Sequence, residues 1–273
     1  MNNSVAQLKP RIVVYSAIFG GYDAVFPIKS KDANVDHVLI SDGDVPRGSG
    51  WTLQRPPAEV ATFDAGGKNR WCKFFPQRIF PDYDVSVYVD GNIQLLTPIN
   101  PLLLAFQSKG VDLGLFKHPE RQSITEELEA CLALGKLSAE AAQLVSERLV
   151  QYEASADLVR RPLTENGVLF RRHASPALDD AMVLWWEEFQ RVGRDQIALP
   201  WVLQQSPIEV AVWDWSYRNA NSWFLGPIIP HLGNLPSGVR GRIKLFLKHQ
   251  KVQRRNHRAA QDFDPQEAAG AFL

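Results

Sequence analysis

Asp90, Gly91 and Asn92 directly follow Val85 to Val89 (VSVYV), a short run of alternating valines that reads as a buried strand and so puts a carboxylate at its end. In open α/β sheets the ligand crevice lies beyond the carboxyl ends of the strands. Gly91 removes side-chain bulk, and Asn92 directs a second oxygen the same way as Asp90, because alternate residues share a face. Two hard oxygen donors at that spacing suit Mg²⁺ or Mn²⁺ held against a diphosphate. A strand-to-turn corner also favours Asp, Gly and Asn, for backbone reasons, and spacing alone leaves both readings open.

Other residues carry a chemical and a plain structural reading side by side. Arg70 and Lys73, at i and i+3 on a helix, suit a phosphate or a solvated surface pair. Asp195-Gln196, after Arg194, stand at a helix start, where Asp is a good cap. His118 with Arg121, followed by Glu126 and Glu127, forms a polar cluster that either touches a substrate or opens the next helix. Asn166-Gly167 could be a turn before a strand. His231, after Pro230, reads as a structural loop histidine, and Trp185 and Trp186 on a helix read as core packing, with at most one reaching a ligand.

The elements that must position these residues alternate. Strands are expected at Arg11 to Ile18, His37 to Ile40, Val85 to Val89, Val111 to Phe116, Gly167 to Phe170 and Ile208 to Trp213, with one or two more between Trp51 and Thr62. Helices are expected from Lys68 to Phe80 (bent or ended at Pro76), Pro101 to Lys109, Thr125 to about Ala156 with a break near Gly135, Pro176 to Arg191 and Asp195 to Gln205. Gly20-Gly21 after the first strand allow a sharp turn or a close ligand approach. The pattern predicts an α/β fold with a mainly parallel sheet covered on both faces.

Composition narrows the partners. Thirty basic residues balance thirty acidic ones, which gives no electrostatic case for nucleic acid as the main ligand. Cys72 and Cys131 lack metal-ligand spacing and read as buried thiols of a reducing compartment. Met1 to Pro10 has no apolar signal core and no stretch has the ~20 apolar residues of a membrane span, so a cytoplasmic location is the expectation. Residues 240–258 differ, with eight Lys or Arg, no acid, and an apolar patch of Ile243, Leu245, Phe246 and Leu247. This segment reads as a contact for an anionic membrane surface or a partner, or as a solvated terminal helix.

In order along the chain, the sequence shows Val14-Tyr15 with Ala17, Gly20, Tyr22 and Asp23, then Arg70 and Lys73, then Pro81, Tyr83-Asp84 and Tyr88 leading to Asp90-Gly91-Asn92. Lys117-His118-Pro119 with Arg121, Glu165-Asn166-Gly167-Val168, Trp185-Trp186 and Arg194-Asp195-Gln196 follow. In that order they resemble a glycosyltransferase-like family, formerly a domain of unknown function, with plant cell-wall and mucilage-related and bacterial members. The order is also similar to that of retaining glycosyltransferases of the glycogenin and lipooligosaccharide galactosyltransferase type. The resemblance implies a GT-A-like (Rossmann-like) fold over residues 11–235, between a polar segment 1–10 and a basic helix and tail 236–273. It implies transfer of a hexose-like sugar, with retention, from a nucleotide-diphosphate sugar to a hydroxyl of a glycan or other acceptor, with Mn²⁺ or Mg²⁺ as cofactor.

Carried over by residue, the resemblance puts Ala17, Ile18 and Tyr22 under the nucleotide and Asp42 near base or ribose. Arg70 and Lys73 would face phosphate or sugar, and Asp90, Asn92 and His231 the metal. Asp195 and Gln196 would lie at the donor sugar, and Asn166, Gly167, His118 and Arg121 on the acceptor side. Asn92 stands where the retaining enzymes carry a second Asp, one negative charge fewer for a metal. The alternatives are a non-catalytic nucleotide-sugar or glycan-binding module, and a metal-dependent phosphohydrolase, which would need an Asp where Asn92 stands.

Overall fold

The computed structural model describes residues 9–153, 163–228 and 238–273. β1 (Ile12–Ile18), β2 (Val35–Ser41), β3 (Thr52–Gln54) and β4 (Val85–Val89) pair in parallel, in the order β3-β2-β1-β4. Beyond β4 the sheet continues to β7 (Thr164–Arg172), β6 (Leu113–Lys117) and β8 (Val210–Trp213). β7 runs antiparallel to both β4 and β6, while β8 is parallel to β6. β5 (Gln94–Leu95) pairs separately with β9 (Phe224–Leu225). The sheet is therefore mixed and mainly parallel, as the element pattern predicts.

Alternation along the strands feeds a core on each face. Val13, Tyr15 and Ala17 of β1, with Tyr88 and Leu169, pack under α1 (Ala65–Phe74), α4 (Ile124–Ala133), α6 (Pro176–Val192) and α7 (Asp195–Gln205). Val14, Val87, Phe170 and Trp213 pack on the opposite face under α3 (Asn100–Lys109). α2 (Pro76–Ile79) follows α1 after a break, because Pro76 starts a new helix and cannot continue the old one. α5 (Ala139–Glu153) lies against α4 and α6. Cys72 and Cys131 are both buried free thiols, and Trp185 is fully buried.

The differences from the sequence reading have local causes. α1 begins at Ala65, three residues before Lys68, because the Asp64 carboxylate accepts the Gly67 N–H at 2.7 Å and caps it. Trp51 to Thr62 yields one strand, β3, within the one or two expected, and adds a 3₁₀ turn at Ala58–Val60. β7 starts at Thr164, so Asn166 and Gly167 lie inside a strand and form no turn. The basic segment forms α8 (Val239–Ala259), and Asp264 then caps α9 (Pro265–Gly270), which the composition did not disclose. α9 packs on α3 and β8, and the Phe272 ring lies tilted against Trp213 with ring centroids 4.8 Å apart.

Candidate active site

The ends of β1 and β4 open on one cleft. Gly20 and Gly21, both left-handed at φ +61° and +63°, turn the chain off β1. Asp42, just past the end of β2, holds that turn by accepting the Gly20 N–H at 3.1 Å. The turn brings Tyr22 and Asp23 to the rim of a cleft of about 630 Å³, whose lining also includes Ala17, Ile18, Asn69, Arg70, Asp90, Asn92, Lys136 and Arg194. That volume lies within the ~300–1,000 Å³ of small-ligand sites.

Asp90 is fixed by its backbone and by the absence of side chains at Gly91 and Gly167. Its N–H donates to the Gly167 carbonyl at 2.8 Å, across the antiparallel pairing of β4 with β7. A Cβ on Gly167 would lie 2.9 Å from Asp90 Oδ2 and would overlap the Tyr217 hydroxyl, which accepts the Gly167 N–H at 3.1 Å. A Cβ on Gly91 would lie 2.7 Å from Ile18 Cγ1 and 3.2 Å from Asp23 Oδ2. Both glycines are therefore steric requirements of the site, and they leave the Asp90 carboxylate 33% exposed. Asp23, Asp90 and Asn92 line the same cleft, with Asp23 Oδ2 close to Gly91. Among the described residues no cluster of three His, Cys, Asp or Glu is arranged to hold a metal.

Lys73 ties this floor to α7. Its ammonium, on a side chain only 2% exposed, lies 2.6 Å from Asp195 Oδ2 and 3.9 Å from Asp90 Oδ1. Burial pushes the Asp195 carboxyl up, but Lys73 and then Arg70 outweigh it and hold the group well below the usual carboxylate range. Burial likewise works against the Arg70 charge, and Asp195 and Asp90 more than compensate, so its pKa is raised. Asn69 orients this corner: its amide donates to the Ala17 carbonyl at 2.7 Å, and its oxygen accepts from Arg70 Nη1 at 2.9 Å. Trp185 Nε1 donates to the Asp195 carbonyl at 3.0 Å and pins the start of α7.

A polar chain leads outward from the cleft wall. Arg194 donates to Gln196 Oε1 at 3.2 Å and to Glu127 at 3.4 Å, and Glu127 also pairs with Arg121. Arg121 Nη2 lies 2.9 Å from His118 Nε2, while His118 Nδ1 accepts the Arg121 N–H at 2.9 Å. Burial, then Arg121 and Arg218, push the His118 pKa down to about 4. Glu165, fully buried, pairs with Arg218 and accepts from Ser216; burial raises its pKa to about 7 against the pull of Arg218. Asn166 is buried, with its oxygen 3.3 Å from the Thr164 hydroxyl.

Of the residues singled out from the sequence, Ala17, Ile18, Tyr22, Arg70, Asp90 and Asn92 meet in the cleft. Lys73, Asp195 and Gln196 are buried and do not line it, and Arg70 and Arg194 stand there instead. Gly167 touches Asp90, whereas His118 and Arg121 connect to the site through Glu127 and Arg194. Asp42 holds the glycine turn. His231 lies outside the described residues. The reading passed over Asn69, Lys136, Arg194 and Tyr217 as site residues. Asn69 and Arg194 adjoin chosen residues, but Lys136 and Tyr217 arrive from distant segments by tertiary folding, with no local signal.

No curated protein matches the sequence. Among solved structures the chain is similar to the apo form of the WbbM bifunctional glycosyltransferase, at 12% identity and a TM-score of 0.48, covering 91% of this chain and 45% of that one. It thus spans less than half the length of that protein. It is also similar to apo mouse xyloside xylosyltransferase 1, at 11% identity and a TM-score of 0.46, over 76% of this chain and 86% of that one. Residues 63–215, more than half of the sequence, match the model of the TOD1/MUCI70 glycosyltransferase-like domain. This stretch includes α1, Asp90, Gly167 and the whole of α7. The chain therefore belongs to the TOD1/MUCI70 glycosyltransferase-like family.

Proposed function

We propose that the cleft binds a nucleotide-diphosphate sugar and that the chain transfers a hexose-like sugar from it to a hydroxyl acceptor on a glycan or similar polymer. The observation that carries this reading is a single cleft lined by the Asp90 carboxylate together with three cations, Arg70, Lys136 and Arg194. The cations suit the two phosphates, and Tyr22, 55% exposed at the rim, suits the face of a base. In the transfer, the bond from the anomeric carbon to the diphosphate breaks as one to the acceptor oxygen forms, and the acceptor proton passes to the departing diphosphate. Arg70 and Arg194 stabilise the growing negative charge on that leaving group. Asp195 acts from behind the wall, holding Lys73 and Arg70 in place.

Asp90, Asp23 and Asn92, which line one cleft, are the residues that would hold Mn²⁺ or Mg²⁺, in the manner of ions bound by one or two carboxylates plus substrate phosphates. A bound ion would neutralise the diphosphate as it leaves. One specific observation favours the rival reading of a non-catalytic binding module: Lys73, 3.9 Å from Asp90, already offsets part of that carboxylate's charge. Calorimetry with nucleoside diphosphates, followed by a donor-hydrolysis assay, tests the proposal. Binding with slow release of free sugar supports a transferase, whereas tight binding without turnover, with and without Mn²⁺, supports the module.

A further inference from the structure

α8 presents two unlike surfaces. Its inner side is fastened to the domain: His249 Nε2 lies 2.8 Å from Gln94 Oε1, its ring stacks on Phe26, and Asn256 Nδ2 donates to the Asn221 carbonyl at 2.9 Å. On the outer side, steps of four, three and one residues align Val239, Ile243, Phe246 and Leu247, which are 71%, 52%, 59% and 61% exposed. Phe246 and Leu247 share one open surface with Lys251, Arg254, Arg255 and Arg258. Exposed aliphatic and aromatic side chains beside a row of cations, on a helix already anchored by its other face, form a surface built to be covered.

The charge distribution selects what covers it. Residues 239–259 carry eight Lys or Arg and no Asp or Glu, in a chain whose thirty basic and thirty acidic residues balance. The remainder of the chain is therefore net acidic by eight. We infer that α8 docks the protein on an anionic lipid bilayer, with Ile243, Phe246 and Leu247 entering the headgroup–acyl boundary and the flanking Lys and Arg facing lipid phosphates. The acidic remainder is repelled by the same surface, which orients the molecule. A nucleic acid would use the cations but give no apolar medium to Phe246 and Leu247, and a second copy would set eight like charges against eight. No helix among the described residues is long and apolar enough to cross a membrane, so α8 lies on the surface. Docked this way, it sits beside the cleft, since Gln94 follows the cleft residue Asn92 by two positions.

Flotation of the full chain with vesicles of phosphatidylcholine alone, or mixed with phosphatidylglycerol, tests this. Binding to the mixed vesicles that weakens with added salt is expected, with little binding to phosphatidylcholine alone. Lys251→Gln with Arg255→Gln should weaken it by about fivefold per charge removed. Phe246→Ser with Leu247→Ser should weaken it by about tenfold or more while the circular dichroism spectrum stays unchanged, because both side chains are solvent-exposed. No binding to mixed vesicles at low salt would overturn the inference. So would undiminished binding by the Phe246/Leu247 variant, a preference for a single-stranded oligonucleotide at equal phosphate concentration, or a dimer in sedimentation that the same variant abolishes.

Discussion

Replacing Lys73 with methionine tests the electrostatic keystone of the site. The change keeps most of the side-chain volume but removes an ammonium 2.6 Å from Asp195 and 3.9 Å from Asp90. Two carboxylates are then left near each other with Arg70 as their neighbouring cation. Breaking a buried ion pair from one side costs about 3–5 kcal/mol, a large share of the ~5–15 kcal/mol that holds a typical domain folded. The pH dependence follows from the sign of the Asp195 shift. Its folded-state pKa is depressed, so its contribution is complete above the unfolded value of ~3.9 and is lost as pH falls through the folded value. Without Lys73 that carboxyl titrates higher, so the gap between wild type and variant is widest near neutrality and narrows towards pH ~3. Urea denaturation of both proteins across this range measures it. Adding Asp195→Leu to Lys73→Met should recover most of the lost stability, because the stranded charge disappears. A loss under about 1 kcal/mol, or one that does not change with pH, would refute the buried bridge.

Asp90→Ala is expected to cut donor turnover by a hundredfold or more, on the order of removing a charge-stabilising group, with little change in the melting curve because the carboxylate is partly exposed; activity near wild type would remove Asp90 from the chemistry. Gly167→Ala should cost about 1–3 kcal/mol and depress turnover together, since its methyl would meet Tyr217 and Asp90; an unaffected protein would show that this contact yields. His118 and His173, both depressed to about 4, favour the neutral form, so stability should fall as pH drops from ~6.5 to ~4, by up to a few kcal/mol for the pair. Denaturation midpoints across that window, with a shallower slope in His118→Gln, check it. If Asp23 shares a metal with Asp90, Mn²⁺ should tighten nucleoside-diphosphate binding in calorimetry and Asp23→Asn should abolish that gain; the anomer of the product tests retention.

How much of this was readable depended on how local each cause was. The Val85 to Val89 run and the residues after it announced both the strand and its terminal carboxylate, because burial on both faces leaves a continuous apolar signature. The Asp64 cap moved a helix start by three residues, a shift set by one hydrogen bond that no periodicity carries. The direction of β7 was not legible either, since an antiparallel strand buried on both faces has the same composition as a parallel one. Asp195 illustrates the harder case. Its position at a helix start suited a cap, yet its partner Lys73 lies 122 residues earlier, and only the folded chain brings the two charges together.

The reversed direction of β7 bears on where specificity can evolve. A sheet whose strands all point one way offers its crevice only the loops that leave those strands. Here one member points the other way, so its entry, Thr164 to Gly167, abuts the exit of β4 at Asp90. Thr164 to Gly167 thus meet the same end of β4 from which the sequence downstream of Val89 departs. Exchanges of chain between relatives aimed at altering what is recognised belong at both places.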